Sequence, residues 1–190
     1  MRGTPKGAVI IGASAGALEA LSSILPALPA GYPLPIFVIV HLPPNKRSVL
    51  AEIFNIKCRL RAIEAEDKEP VEPGVIYFAP PNYHLLLEGR SNIALSGEEA
   101  VLFSRPSIDV AFESASEAWG DRLTGIVLTG ANHDGARGLQ AIGRSGGTMI
   151  VQDPASAYAQ AMPEAAMLAS PNAHVFTLPE ISSYLLSNFQ

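Results

Sequence analysis

In Gly12-Ala13-Ser14-Ala15-Gly16 a serine stands between two glycines, directly after the apolar run Ala8-Val9-Ile10-Ile11 and before a helical pattern. This is the spacing of a nucleophile elbow, in which flanking glycines permit a tight strand-to-helix turn and a close approach by substrate. A hydroxyl placed there lies at the start of a helix whose free N–H groups can face a developing oxyanion. One such donor stabilises a transition state by about 3 kcal/mol. The backbone N–H groups of Ala15 and Gly16 are the nearest candidates. The same spacing equally describes a glycine-rich turn with Ser14 as a helix N-cap, or a phosphate-binding loop. The dinucleotide fingerprint fails, because Ser14 occupies its second glycine position.

A serine needs a base. His41 ends the apolar run Ile36-Phe37-Val38-Ile39-Val40. By default such a histidine is a hydrogen-bonded structural residue, but consecutive parallel strands commonly pair about 4.8 Å apart, which would bring His41 within reach of Ser14. His133 is the competing base. It adjoins Asp134 in the chain, and neighbouring side chains seldom face each other, so it ranks second. His84 and His174 read as structural or surface residues. Asp134, in a turn that leads into a helix, fits a helix N-cap as well as the acid that orients a catalytic histidine. The order Ser14, His41, Asp134 differs from the Ser, Asp, His order of α/β-hydrolases, so the elbow does not assign that fold.

These residues have to be held by something. Apolar runs of strand length alternate with helical patterns, which predicts a doubly wound α/β domain with a mostly parallel sheet and helices on both faces. Strands are expected at residues 8–12, 36–40, 123–128, 148–151 and around Val175. Helices are expected at 17–25, 49–54 (after a Pro43-Pro44 turn), 107–119, 135–142, from Pro163 over 164–168, and from Pro179 onward. Between residues 60 and 96, Pro73-Gly74, Pro80-Pro81-Asn82 and Glu88-Gly89 break up short strands and predict antiparallel hairpins at the edge of the sheet. In an open α/β sheet, ligands bind beyond the carboxyl ends of the strands. Ser14, His41 and the segment 129–135 all emerge at such ends.

Composition narrows the class. The 190 residues suit one domain, spanning 1–190, with its own core. At 48% apolar and 16% charged residues the chain is too apolar to be disordered. Thirteen Lys and Arg against 18 Asp and Glu leave a net charge of −5, with no long-range attraction for a nucleic-acid backbone. The single Cys58 excludes an internal disulfide and a cysteine-based zinc site. No apolar run approaches the roughly 18 residues of a membrane span, and the polar residues 1–7 do not form a signal peptide. A cytoplasmic, reducing location is expected, without membrane insertion.

Further matches lie along the whole chain: Glu64-Ala65-Glu66-Asp67, Pro73-Gly74, Tyr77, Ala79-Pro80, His84, Arg105-Pro106-Ser107-Ile108-Asp109-Val110, Leu128-Thr129-Gly130, Asp134-Gly135-Ala136, Gln152-Asp153-Pro154 and Met162-Pro163. In their order and spacing, together with the elbow and with His41 and Pro43, the chain resembles the catalytic domain of the chemotaxis protein-glutamate methylesterases. The resemblance implies hydrolysis of glutamyl methyl esters on the cytoplasmic helices of methylated chemoreceptors, with methanol released. It also implies deamidation of receptor glutamines. Ser14 would be the nucleophile, His41 the base and Asp134 its orienting partner, with no metal or organic cofactor. The family's usual receiver domain is not expected before a first strand at Ala8, which leaves control to a separate regulatory protein. Two local departures are visible. Where the family has Gly-Met-Gly this chain has Gly130-Ala131-Asn132, so Ala131, through its backbone, and Asn132 would serve the substrate and its oxyanion, and the turn would survive because asparagine tolerates a positive φ. The elbow ends in Gly16-Ala17 rather than two glycines. From these departures comes the alternative of a non-catalytic module that binds receptor-like helices.

Overall fold

The computed structural model describes residues 5–43 and 45–188. The expectations for residues 1–4, and for Pro44 in the proline turn, lie outside the described residues. Nine strands are described: β1 (Ala8–Ala13), β2 (Ile36–Val40), β3 (Arg61–Glu64), β4 (Val75–Phe78), β5 (His84–Glu88), β6 (Asn92–Ser96), β7 (Leu123–Val127), β8 (Thr148–Gln152) and β9 (His174–Phe176). Between and around them run α1 (Ala17–Ile24), α2 (Leu50–Lys57), α3 (Ile108–Trp119), α4 (Ala136–Arg144), α5 (Ala161–Ala169) and α6 (Leu178–Ser187).

Seven strands form one sheet in the order β3-β4-β2-β1-β7-β8-β9, every pairing parallel. Its inner strands are apolar on both faces, as a sheet covered on both sides requires. Along β1 the side chains alternate. Ala8 and Ile10 join the core beneath α3, α4 and α5, with Ile108, Phe112, Trp119, Leu139 and Met162. Val9 and Ile11 join the opposite core, with Leu21 and Ile24 of α1, Phe54 of α2 and Ile181 of α6. The chain builds outward from β1 through β2, then returns to β7 on the other side of β1. The sheet's switch point therefore falls between β1 and β7, where such folds open a crevice at the strand ends.

The antiparallel part is narrower than residues 60–96. Among the described residues β5 and β6 are the only strands that pair antiparallel, and they form a separate two-stranded sheet rather than an extension of the main edge. β3 and β4 are parallel members of the main sheet. Residues 65–74 carry the chain back along the sheet, so Pro73-Gly74 ends a crossover and does not close a hairpin. The β5–β6 hairpin lies on α3, where the Ser114 hydroxyl accepts the Leu87 N–H, and Leu85, Leu87 and Ile93 complete the core there. α5 begins at Ala161, two residues before Pro163, which sits in the first turn where proline costs no hydrogen bond. Among the described residues no helix is long and apolar enough to cross a membrane.

Candidate active site

The buried carboxylate is the best-anchored group at the strand ends. Asp134 follows β7 and is fully buried. Its Oδ2 accepts from the N–H of Ile108 at 2.7 Å, and its Oδ1 from the N–H of Asp109 at 2.9 Å and the hydroxyl of Ser107 at 3.1 Å. These donors belong to the first turn of α3, so the carboxylate docks on a helix N-terminus, where N–H groups lack intrahelical partners and the dipole favours negative charge. That turn is fully satisfied. Ser107 is the N-cap, its hydroxyl accepting from Val110 N–H, and its own N–H donates to Nδ1 of the buried His84 at 3.1 Å. The other ring nitrogen of His84 donates to the carbonyl of Glu99, which fixes the ring in one neutral tautomer.

Across from α3, Nε2 of His41 lies 2.7 Å from Asp134 Oδ2, with the imidazole 11% exposed. Burial by itself would raise the Asp134 pKa. The hydrogen bonds from His41 and from the N–H groups of Asp109 and Ile108 outweigh it and hold the carboxyl below the usual carboxylate range. An ionised Asp134 puts the ring proton on Nε2 and leaves the lone pair on Nδ1. A second carboxylate, Asp109, is buried one turn away. It accepts the N–H groups of Gly135 and Gly138 and so anchors the start of α4. Burial raises its pKa, the Gly138 hydrogen bond opposes the shift, and Asp134 adds repulsion.

Strand register brings the third residue in. Ala13 of β1 pairs with Val40 of β2, and the N–H of His41 donates to Ala13 O at 3.3 Å, so Ser14 and His41 leave adjacent strands at the same level. Ser14 N–H donates to Thr129 O beyond β7, which ties the elbow to the far side of the switch point. Gly16 has φ 82, and a Cβ there would come within 2.7 Å of Cβ of Tyr158; both conditions demand glycine. Among the described residues the N–H groups of Ala15, Gly16 and Ala131 and the hydroxyl of Ser14 make no hydrogen bond, while their surroundings are firmly held. Thr129 Oγ1 donates to Ala15 O and accepts from Ala159 N–H, and Thr129 N–H donates to Oε1 of Gln152. Among the described residues no group of three His, Cys, Asp or Glu side chains could hold a metal ion.

A buried acid thus binds an imidazole at the strand end next to a glycine-flanked serine, on a parallel sheet. The family model for CheB methylesterase matches residues 9–185. The chain belongs to the CheB methylesterase family. It is therefore a carboxylic ester hydrolase of the protein-glutamate methylesterase type, and not a non-catalytic helix-binding module. It is similar to a putative protein-glutamate methylesterase/protein-glutamine glutaminase of Leptospira interrogans, 43% identical over 94% of this chain and 93% of that protein. A protein-glutamate methylesterase/protein-glutamine glutaminase of Caulobacter vibrioides is 37% identical over 96% of this chain, which spans only 54% of that relative. The catalytic domain of the Thermotoga maritima CheB methylesterase superposes with a TM-score of 0.90 at 31% identity, over 95% of this chain and 97% of that one.

As expected from the sequence of this methylesterase-family chain, His41 binds Asp134 directly, and Ser14 leaves the strand next to His41 at the same level. His133 is exposed, and His174 is the exposed first residue of β9. One expectation is corrected. Asn132 is not in the left-handed region, and the positive φ of this turn falls at Gly135, at 101°. The reason is that the Asn132 side chain itself closes the turn, its Oδ1 accepting the Asp134 N–H at 3.0 Å. Ser107, Asp109 and His84, which support Asp134, were not among the site residues expected from the sequence. Their signal was the predicted start of a helix at residue 107, because the N-terminus of a helix is a natural seat for a carboxylate.

Proposed function

We propose that Ser14, His41 and Asp134 act as the catalytic triad of a protein-glutamate methylesterase whose substrates are methylated chemoreceptors. The observation that carries this reading is the 2.7 Å bond between His41 Nε2 and the buried Asp134, at the strand end that adjoins Ser14. His41 Nδ1 accepts the Ser14 proton as Oγ attacks the ester carbonyl, and the negative charge moves to the carbonyl oxygen. The unspent N–H groups of Ala15, Gly16 and Ala131 are the available donors to that oxyanion. As the tetrahedral intermediate collapses, the C–O bond to the methoxy group breaks and Nδ1–H protonates it, releasing methanol. Water, deprotonated by Nδ1, then hydrolyses the acyl-enzyme to free glutamate and restores Ser14. The ring orientation is the reverse of the serine-protease template, in which Nδ1 faces the acid and Nε2 the serine.

The same acyl transfer with ammonia as leaving group gives receptor glutamine deamidation. We place the encounter in the cytoplasm, on the receptors' methylated helices. The test is methanol release from methylated chemoreceptor, with Ser14→Ala as the control. Release by the parent chain and its loss in Ser14→Ala is the expected result. Equal release by both would remove Ser14 from the mechanism.

A further inference from the structure

The lone pair that must accept the Ser14 proton already has a partner. Nδ2 of the half-buried Asn132 lies 3.4 Å from Nδ1 of His41. The amide's orientation is not free, because Oδ1 of Asn132 accepts the Asp134 N–H at 3.0 Å and so turns the NH2 group toward the ring. The ring's orientation is not free either, because the ionised Asp134 keeps the proton on Nε2. Donor therefore meets acceptor across the Asn132–His41 gap, and from these two constraints we infer that Asn132 is a brake on the base. This inference rests on the triad reading above and adds a positioning residue to it.

The Asn132 amide holds the His41 lone pair in the resting protein, so the Ser14 hydroxyl has to displace it before a proton can move. A ring nitrogen offers one lone pair, and two donors compete for it. The competition sharpens during reaction. Once Nδ1 gains a proton it becomes a donor, and an Asn132 N–H facing it is repulsive. The usual remedy, rotating the amide to present its oxygen, would strip the acceptor from Asp134 N–H. The amide must instead pivot about the accepted Asp134 N–H and move its NH2 off the ring, so the bond to His41 stabilises the resting state and not the transition state, which lowers the rate.

Asn132→Ser separates this role from the turn. A serine hydroxyl can still accept the Asp134 N–H two residues on, but it is too short to reach His41. The rate constant for labelling of Ser14 by a fluorophosphonate is the readout, with Ser14→Ala as blank. An increase of about fivefold in Asn132→Ser, the weight of one net hydrogen bond, is expected. The Nδ1 resonance of His41 in 15N spectra is expected to move downfield in the same variant as its hydrogen bond is lost. That resonance in the parent chain, compared with Asn132→Gly, gives the same information should the serine variant fail to fold. Labelling at the parental rate with an unmoved Nδ1 resonance would overturn the brake and leave the triad standing. Slower labelling would make Asn132 a support of catalysis and equally overturn it. No labelling of the parent chain would overturn the triad reading itself, and the brake with it.

Discussion

The two ends of the site are built on opposite plans. At the carboxylate end everything is spoken for: Asp134 takes the first turn of α3 and the His41 ring, Ser107 takes His84, and Asp109 takes the first turn of α4. At the hydroxyl end the donors of Ala15, Gly16 and Ala131 are left open among the described residues, although Thr129 and Gln152 hold the backbone that carries them. A buried polar group without a partner costs about 1–3 kcal/mol. The carboxylate end therefore contributes to stability as well as to geometry, whereas the hydroxyl end keeps its capacity for a substrate oxyanion. The contrast predicts that changes at the two ends will separate activity from stability.

The sharpest break of that contrast is Ser14→Ala. We expect methanol release to fall by about 10⁴-fold or more, with the denaturation midpoint unchanged. A large loss of stability in that variant would mean the hydroxyl end is also structural. Asp134→Asn is expected to lower turnover by about 10³–10⁴-fold, since an amide can present N–H where His41 and α3 need acceptors. Unlike the serine change, it should also cost about 2–3 kcal/mol in chemical denaturation. Because hydrogen bonds hold the folded Asp134 carboxyl below the usual range, its stabilisation is complete above the unfolded value of about 4. It is lost as pH falls further through the folded value, so the stability gap to Asp134→Asn should begin to close only below about pH 4.

Smaller effects refine the picture. Ser107→Ala removes one donor to the carboxylate and the cap of α3, for an expected loss of about 1.5 kcal/mol and roughly tenfold in turnover. Asp109 should show the opposite pH sign to Asp134. Burial raises its folded pKa, so its contribution is most favourable in acid and declines as pH rises through the folded value. Asp109→Asn can keep an oxygen for Gly135 and Gly138, so it should gain stability relative to the parent chain between about pH 4 and 7. Asp109→Ala, which orphans both N–H groups, should lose about 2 kcal/mol at either pH. Denaturation curves at the two pH values decide between these outcomes.

Much of the scaffold was readable because it follows from local physics. The apolar runs at β1, β2, β7 and β8 read as buried strands from their length and composition, and the spacing of Ile108, Ala111, Phe112, Ala115 and Trp119 reads as one buried face of a helix. The parallel pairing of β3 with β4 was not readable. Short strands near Pro73-Gly74 carry the same turn signals whether the chain reverses or crosses back, and only the neighbouring strand β2 selects between them.

For the site the division is similar. By itself, the order of residues determined that a glycine-flanked serine, a histidine and an aspartate would leave strands at one end of a sheet, since strand length and the residue after it are properties of the chain. Tertiary structure alone decided that Asp134 would sit on the first turn of α3, which ring nitrogen of His41 it would bind, and that Asn132 would face the other. Those are contacts between segments far apart in the chain, and their geometry depends on how helices and strands settle against one another rather than on any local preference.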